Sequence, residues 1–187
     1  MDHVPRDKAT GAGNQQERLK TAGWITGFVD GEGCFTVSIF RNPTVKTRLG
    51  YQVFCEFVVT QGEKSISSLH ILEKFFGCGY INRNRRKDNH HEDLMKYCVR
   101  ALTDLEAIII PFFEENRLQT YKRNDFAIFA KIVHLVRQKK HLDPQGLFKV
   151  ASLIRQMNRR KNPKFLESSE TIRRILEDAE KRKKGKI

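Results

Sequence analysis

No stretch of this sequence approaches the roughly 18 consecutive apolar residues of a membrane-spanning helix, so no membrane partner is expected. Met1 to Gln16 is polar throughout and lacks the apolar centre of a secretory signal. Asp2, Asp7 and Glu17 also set this start apart from the acid-poor transit peptides. Cysteine is sparse: Cys34, Cys55, Cys78 and Cys98 stand about twenty residues apart, and none belongs to a C-x-x-C pair. That spacing argues against a zinc ribbon, and a chain this long and basic argues against a disulfide framework, so free thiols in a reducing compartment are the better reading. Histidine offers no ligand spacing either. His90 and His91 fall in a wholly polar run beside Glu92 and Asp93, read as a solvated hairpin tip, and His134 and His141 stand apart. Acids are outnumbered, 22 against 35 lysines and arginines, for a net charge of +13 over 187 residues. That balance points to a polyanion, most simply nucleic acid.

What the chain does have is concentrated in Gly23-Trp24-Ile25-Thr26-Gly27-Phe28-Val29-Asp30-Gly31-Glu32-Gly33. Gly23, Gly27 and Gly31 recur every fourth residue and so share one face of a helix. Each glycine costs about 1 kcal/mol against alanine inside a helix, so the bare face implies a close approach by another backbone. Asp30 and Glu32 then sit at the negative end of that helix, where acids are disfavoured unless a cation is near. The bland alternative is a glycine-capped helix turning into a strand.

The remaining periodicities give one domain. Asn14 with Glu17 predicts a helix start, for a first helix over about 15–31. A strand over 34–41 puts Phe35, Val37 and Ile39 on one face and Thr36, Ser38 and Phe40 on the other. A second over 49–60 turns Val53, Cys55, Phe57 and Val59 inward and Gln52, Phe54, Glu56 and Val58 outward. A helix over 63–76 stops at Gly77, and a strand pair follows at 80–86 and 94–101. Thr103 to Glu106 reads as a capping box opening a helix that Pro111 ends or kinks. Another helix covers 122–139 with Phe126, Phe129, Ile132, Val133 and Val136 inward, and Asp143-Pro144 opens one reaching about Met157. A last helix starts at Ser168 or Ser169 and runs into the basic tail Lys181 to Lys186. The fold class is α/β (α+β), a four-stranded antiparallel sheet covered on one face. The boundaries are a disordered segment at 1–13, a core at 14–141 and a helical extension with a basic tail at 142–187.

Ile25 to Gly33 resembles the signature of the LAGLIDADG homing endonucleases. The resemblance continues, in order, through Phe57-Val58-Val59-Thr60-Gln61, Phe75-Phe76-Gly77-Cys78-Gly79, Asp104-Leu105 and Lys122-Arg123-Asn124-Asp125-Phe126, from about residue 17 to about residue 140. It implies an αββαββα fold with a saddle-shaped sheet, and double-strand cleavage of DNA by phosphodiester hydrolysis with Mg2+, for which Mn2+ would substitute. By the same resemblance Glu32 is the metal ligand, at a position where many relatives carry aspartate, and the Gly31 carbonyl helps. Asp30 serves chiefly the turn and helix ends, with a lesser share in the metal. Gln61 matches the residue that positions solvent, and Lys122 the lysine that stabilises phosphate charge. Ser65 stands where some relatives are basic, with Lys64 beside it.

The glycine motif occurs once, and the family's site needs an acid from each of two such helices, so a C2 homodimer through Gly23, Trp24 and Gly27 is expected. Strands of about nine residues span about 30 Å, so two sheets would cover about 18 base pairs of a partly palindromic target. The outward strand residues Thr36, Ser38, Phe40, Asn42, Gln52, Phe54, Glu56, Asn82, Asn84, Lys96 and Arg100 are the candidate base readers in the major groove. Arg83, Arg85, Arg86 and Lys87 are the candidate phosphate contacts. Cleavage across the minor groove would leave short cohesive 3′ ends. The alternatives are an RNA maturase acting on intron RNA and a non-catalytic DNA-binding regulator. Family members are commonly intron-encoded, so an organellar or bacterial intracellular setting is expected.

Overall fold

The computed structural model describes residues 9–42, 49–84 and 93–157, and singly Arg174, Glu177 and Lys181, which are helical and exposed. Helix α1 (Ala9–Glu32) feeds directly into strand β1 (Gly33–Arg41), which pairs with β2 (Tyr51–Gly62). Helix α2 (Ile66–Phe76) follows a single 3-10 turn, Glu63–Ser65, and leads to β3 (Tyr80–Asn84) and β4 (Leu94–Val99). Short α3 (Leu102–Asp104) passes through a π turn, Leu105–Ile109, into α4 (Ile110–Glu115); α5 (Lys122–Arg137) and α6 (Pro144–Ile154) complete the described body. The sheet is antiparallel in the order β1-β2-β4-β3. Two hairpins are thus joined through their second strands, with α2 as the connection.

The expected alternation holds for the largest inward side chains, but β2 is buried on both faces from Cys55 to Val59, so that Glu56 and Val58, expected outward, are 7% exposed each, and Val37 is only half-buried. Phe35, Ile39, Phe57, Val59, Tyr97 and Val99 are all buried on the helix-facing side. Phe35 is the hub, 5.2 Å from Phe57 and from Phe126, 5.3 Å from Phe129 and 5.5 Å from Phe113 between ring centroids. Sheet, α4 and α5 therefore meet at one side chain. Phe126, Phe129, Ile132, Val133 and Val136 of α5 are buried as their spacing requires, and Leu147, Val150 and Ala151 of α6 enter the same core. Asp143 caps α6, its Oδ1 accepting the N–H of Gln145 and of Gly146, each at 2.9 Å. Gly77 ends α2 with φ +63°, the left-handed residue that lets a helix stop.

Three expectations are corrected. Helix α1 begins at Ala9, so Asn14 lies inside it rather than at its start. Thr103 and Glu106 form no capping box: Ala101 holds the cap position, and Glu106 instead accepts from Arg137 Nε at 2.8 Å and meets His134 Nδ1 at 3.3 Å. Pro111 does not end its helix. The π turn upstream moves the hydrogen-bond ladder to Ile110 N–H onto the Leu105 carbonyl, which makes room for a residue with no N–H and a bulky ring. Arg85, Arg86, Lys87, His90, His91, Glu92, the helix start at Ser168 or Ser169 and the terminal basic run lie outside the described residues, Lys181 excepted.

Candidate functional site

The foot of α1 is fixed by its own sequence and by the segment before α5. Ala22, Ile25 and Val29 point inward and are buried, three or four residues apart on one face. Gly33, the first strand residue, has no room for a side chain: a Cβ there would lie 2.5 Å from Val29 Cγ1 and 2.9 Å from the Val29 carbonyl. This close approach lets the helix turn into β1 without a loop.

Asp30 and Lys122 then lock the foot in opposite senses. Asp30 Oδ2 accepts the Gln119 N–H at 2.6 Å, and Oδ1 accepts the Thr120 hydroxyl at 2.7 Å and its N–H at 3.2 Å. Partial burial pushes the Asp30 carboxyl upward, but these donors, Gln119 first, outweigh it and leave it below its ordinary value. In return, Lys122 Nζ donates to the Val29 carbonyl at 2.7 Å and the Asp30 carbonyl at 2.9 Å, a cation on the last carbonyls of a helix. Burial lowers the Lys122 ammonium below its usual value, opposed by Cys34, Asp30, Glu32 and Asp125. The Asp30 carboxylate thus bonds to the segment ahead of α5 rather than within the turn into β1. Its partners Gln119 and Thr120 were missed, although Thr120 two residues before a helix is an ordinary bonding position for a hydroxyl.

Glu32 differs from both. It is exposed and makes no hydrogen bond or ion pair with the described residues. Lys122 senses its charge. Gly31 beside it is exposed as well. A free carboxylate at the negative end of a helix suits a hard cation that takes oxygen ligands, and Mg2+ is one. Among the described residues no three His, Cys, Asp or Glu side chains gather closely enough to hold a metal. The register pairs Gly33 with Val59, and Gln61 lies two residues further along β2, about 7 Å past that pair at the end where Glu32 emerges.

The glycine face of α1 is open: among the described residues, a Cβ at Gly23, Gly27 or Gly31 would meet nothing within 4 Å. Trp24, 41% exposed, stacks on Phe28 at 4.9 Å, and Leu19 on the same helix is 60% exposed.

On the sheet face away from the helices, most candidate readers fall together, but not all as free side chains. Thr36, Ser38, Gln52, Asn82 and Lys96 are half-buried on this face, and so are Phe40 and Phe54, which were expected to be exposed. Asn42 Nδ2 donates to Gln52 Oε1 at 2.9 Å. Asn84 closes β3. Glu56 is corrected outright: it is 7% exposed, because Lys96 Nζ at 3.0 Å and Arg100 Nε at 2.5 Å lie across its carboxylate. Arg83 is also corrected as a free phosphate contact. Its side chain is held by Glu63 and, at 3.6 Å, by Asp93, at the opposite parity of the strand from Asn82. The four cysteines are free thiols as expected, and burial pushes Cys55 up to about 12.

The fold is α+β, a four-stranded antiparallel sheet with helices on one face and an exposed acid at the foot of a glycine-lined helix. The LAGLIDADG endonuclease family matches residues 25–133, more than half of the chain, and the chain belongs to that family. Among curated relatives, probable intron-encoded endonuclease 2 of Neurospora crassa is 36% identical over 125 residues, covering 66% of this chain and 26% of the relative. DNA endonuclease I-CvuI of Chlorella vulgaris is 30% identical over 109 residues, covering 57% of this chain and 62% of the relative. The chain thus spans about a quarter of the length of the Neurospora relative and under two thirds of the Chlorella one. Among solved structures, the homing endonuclease I-TnaI superposes with a TM-score of 0.70 at 36% identity, covering 84% of this chain and 96% of that one. The meganuclease I-SmaMI bound to uncleaveable DNA gives 0.68 at 28% identity, covering 75% of this chain and 45% of that one.

Proposed function

We propose that this chain is a site-specific homing endonuclease. Two copies make a double-strand break in a long, pseudo-palindromic DNA duplex by Mg2+-dependent hydrolysis, and the break promotes the mobility of an intron. The observation that carries the reading is the conjunction on α1: an exposed Glu32, unpaired among the described residues, at the foot of a helix whose glycine stripe has no described residue within 4 Å of a Cβ. One carboxylate is a poor site for a divalent ion, which takes several oxygens. Two such helices packed through Gly23, Trp24 and Gly27 would bring two Glu32 carboxylates, with the Gly31 carbonyls, to one place. The bound metal would activate water and neutralise charge at phosphorus. Gln61 would orient solvent at that end of the sheet, and Lys122 would hold the α1 foot while keeping a positive charge beside it.

Duplex DNA is the substrate that the surroundings favour. The chain carries +13, and the nine residues of β1 span about 30 Å, the length of about nine base pairs. The structure of I-SmaMI on DNA, one of that protein with calcium ions, and the intron-encoded relatives support the same reading by likeness.

The test is selection of bound duplexes from a partly palindromic pool, then addition of Mg2+ to wild type and to Glu32→Gln. Cleavage by wild type, with binding but no cleavage by the variant, is the expected result, and Mn2+ should substitute. Equal cleavage by both proteins would remove Glu32 from the chemistry. Binding without cleavage by either would leave a DNA-binding regulator.

A further inference from the structure

Glu56 is the single buried carboxylate among the described residues, and both of its oxygens are committed. Oε2 accepts from Lys96 Nζ at 3.0 Å and Oε1 from Arg100 Nε at 2.5 Å. The Arg100 guanidinium also lies over two rings, with its Cζ 5.1 Å from the centroid of Phe54 and 5.7 Å from that of Tyr80. An arginine on a sheet face would ordinarily sweep through many rotamers. This one is held by an anion at its Nε and by aromatic rings.

The hold leaves a particular part of the group over. Glu56 takes the Nε–H, and the two terminal amino groups bond to no described residue, on a side chain 40% exposed. What projects is a fixed, two-pronged donor. In the major groove guanine presents O6 and N7 side by side as acceptors, and no other base offers two adjacent acceptors there. We infer that Arg100 reads a guanine in each half-site and that Glu56 is the residue that positions it. This rests on the duplex-DNA reading above and names which residue selects which base. Lys96, the other partner of Glu56, is a point charge without a fork and suits phosphate.

The register places the contact. Gly33 pairs with Val59 at the Glu32 end of the sheet, and Glu56 pairs with Thr36 three residues further out. Val99 pairs with Phe57, which puts Arg100 level with Glu56. Three residues are about 10 Å, or about three base pairs, so the guanine belongs to the inner part of each half-site.

The test is the sequence profile of duplexes selected by wild type, Arg100→Lys, Arg100→Ala and Glu56→Gln, with binding of the best duplex measured over a salt series. Wild type should enrich guanine at one pair of symmetry-related inner positions. Arg100→Lys, which keeps the charge and sits on the surface, should lose roughly tenfold discrimination there and keep its profile elsewhere. Glu56→Gln should relax the same position with the fork still present, a change that a merely structural residue would not confine to one base pair. If Arg100→Lys leaves the profile intact, and Arg100→Ala weakens all duplexes alike while lowering the salt slope by about one, Arg100 is a phosphate contact and the inference falls with the DNA reading standing. If wild type enriches no duplex, the DNA reading itself falls.

Discussion

Asp30 and Glu32 are two residues apart and chemically alike, yet their surroundings assign them opposite work. Asp30 receives three hydrogen bonds from Gln119 and Thr120, so its charge is consumed in holding α1 to the segment before α5. A carboxyl held below its ordinary value adds stability once the pH is above the unfolded value, and loses that contribution as the pH falls through the folded one. Asp30→Asn should therefore lower stability by about 1 kcal/mol at neutral pH. The gap between variant and wild type should narrow as the pH drops below the ordinary value of 3.8. Urea midpoints of both proteins at pH 7 and in acid measure this, and a gap that widens in acid would refute it. Lys122 presents the converse case. Its ammonium closes two helix carbonyls, but its lowered value means that folding disfavours the charge it carries. The two effects oppose, so Lys122→Met should change stability by no more than about 1 kcal/mol. Cleavage should fall by about a hundredfold or more if its charge acts on phosphate. A melting curve and a single-turnover cleavage assay on the same preparation separate the two.

At the scale of elements, the junction of α1 and β1 carries the design. Gly33→Ala would drive a methyl into Val29, and since Val29 O and Cα belong to the backbone, the helix end itself must shift. A loss of about 1–3 kcal/mol is expected, with Glu32 displaced and cleavage reduced along with stability. Thermal unfolding of Gly33→Ala beside Glu32→Gln, which should melt like wild type, makes the comparison. The elements most legible in the sequence were those ruled by period and punctuation. Phe35, Ile39, Phe57 and Val59 alternate because one face is buried, and Gly77 and Asp143-Pro144 are local signals whose partners lie within a few residues. Features decided by distant partners were not legible. The capping pattern at Thr103 lost to Ala101 because Glu106 is drawn to Arg137 on α5, thirty-one residues away. Pro111 persists in a helix because a π turn absorbs it. Of the candidate site, the placing of Asp30, Glu32 and Lys122 at one helix foot follows the motif context. The burial of Glu56 could not be read, because it depends on Lys96 of β4 and Arg100 just past its end, forty and forty-four residues later.

For the whole molecule, the open stripe on α1 offers a test in which stability and assembly move in opposite directions. Among the described residues nothing stands within 4 Å of a Cβ at Gly27, so in an isolated chain Gly27→Leu removes a helix-interior glycine and starts its side chain in open space. Leucine in its place should stabilise that chain by up to about 1 kcal/mol on helix propensity alone. If two chains pack through Gly23, Trp24 and Gly27, the same leucine forces the helices apart and opposes the pairing. Wild type should then sediment at micromolar concentration as a dimer of the 21.8 kDa chain. Gly27→Leu should sediment as a folded monomer with a melting temperature that is undiminished at high dilution, and it should not cleave, because each chain retains only its own Glu32. A monomeric wild type would refute the paired site, and a dimeric Gly27→Leu would place the contact elsewhere on the surface. A variant that fails to fold is not expected, because the inward face of α1, Ala22, Ile25 and Val29, is untouched.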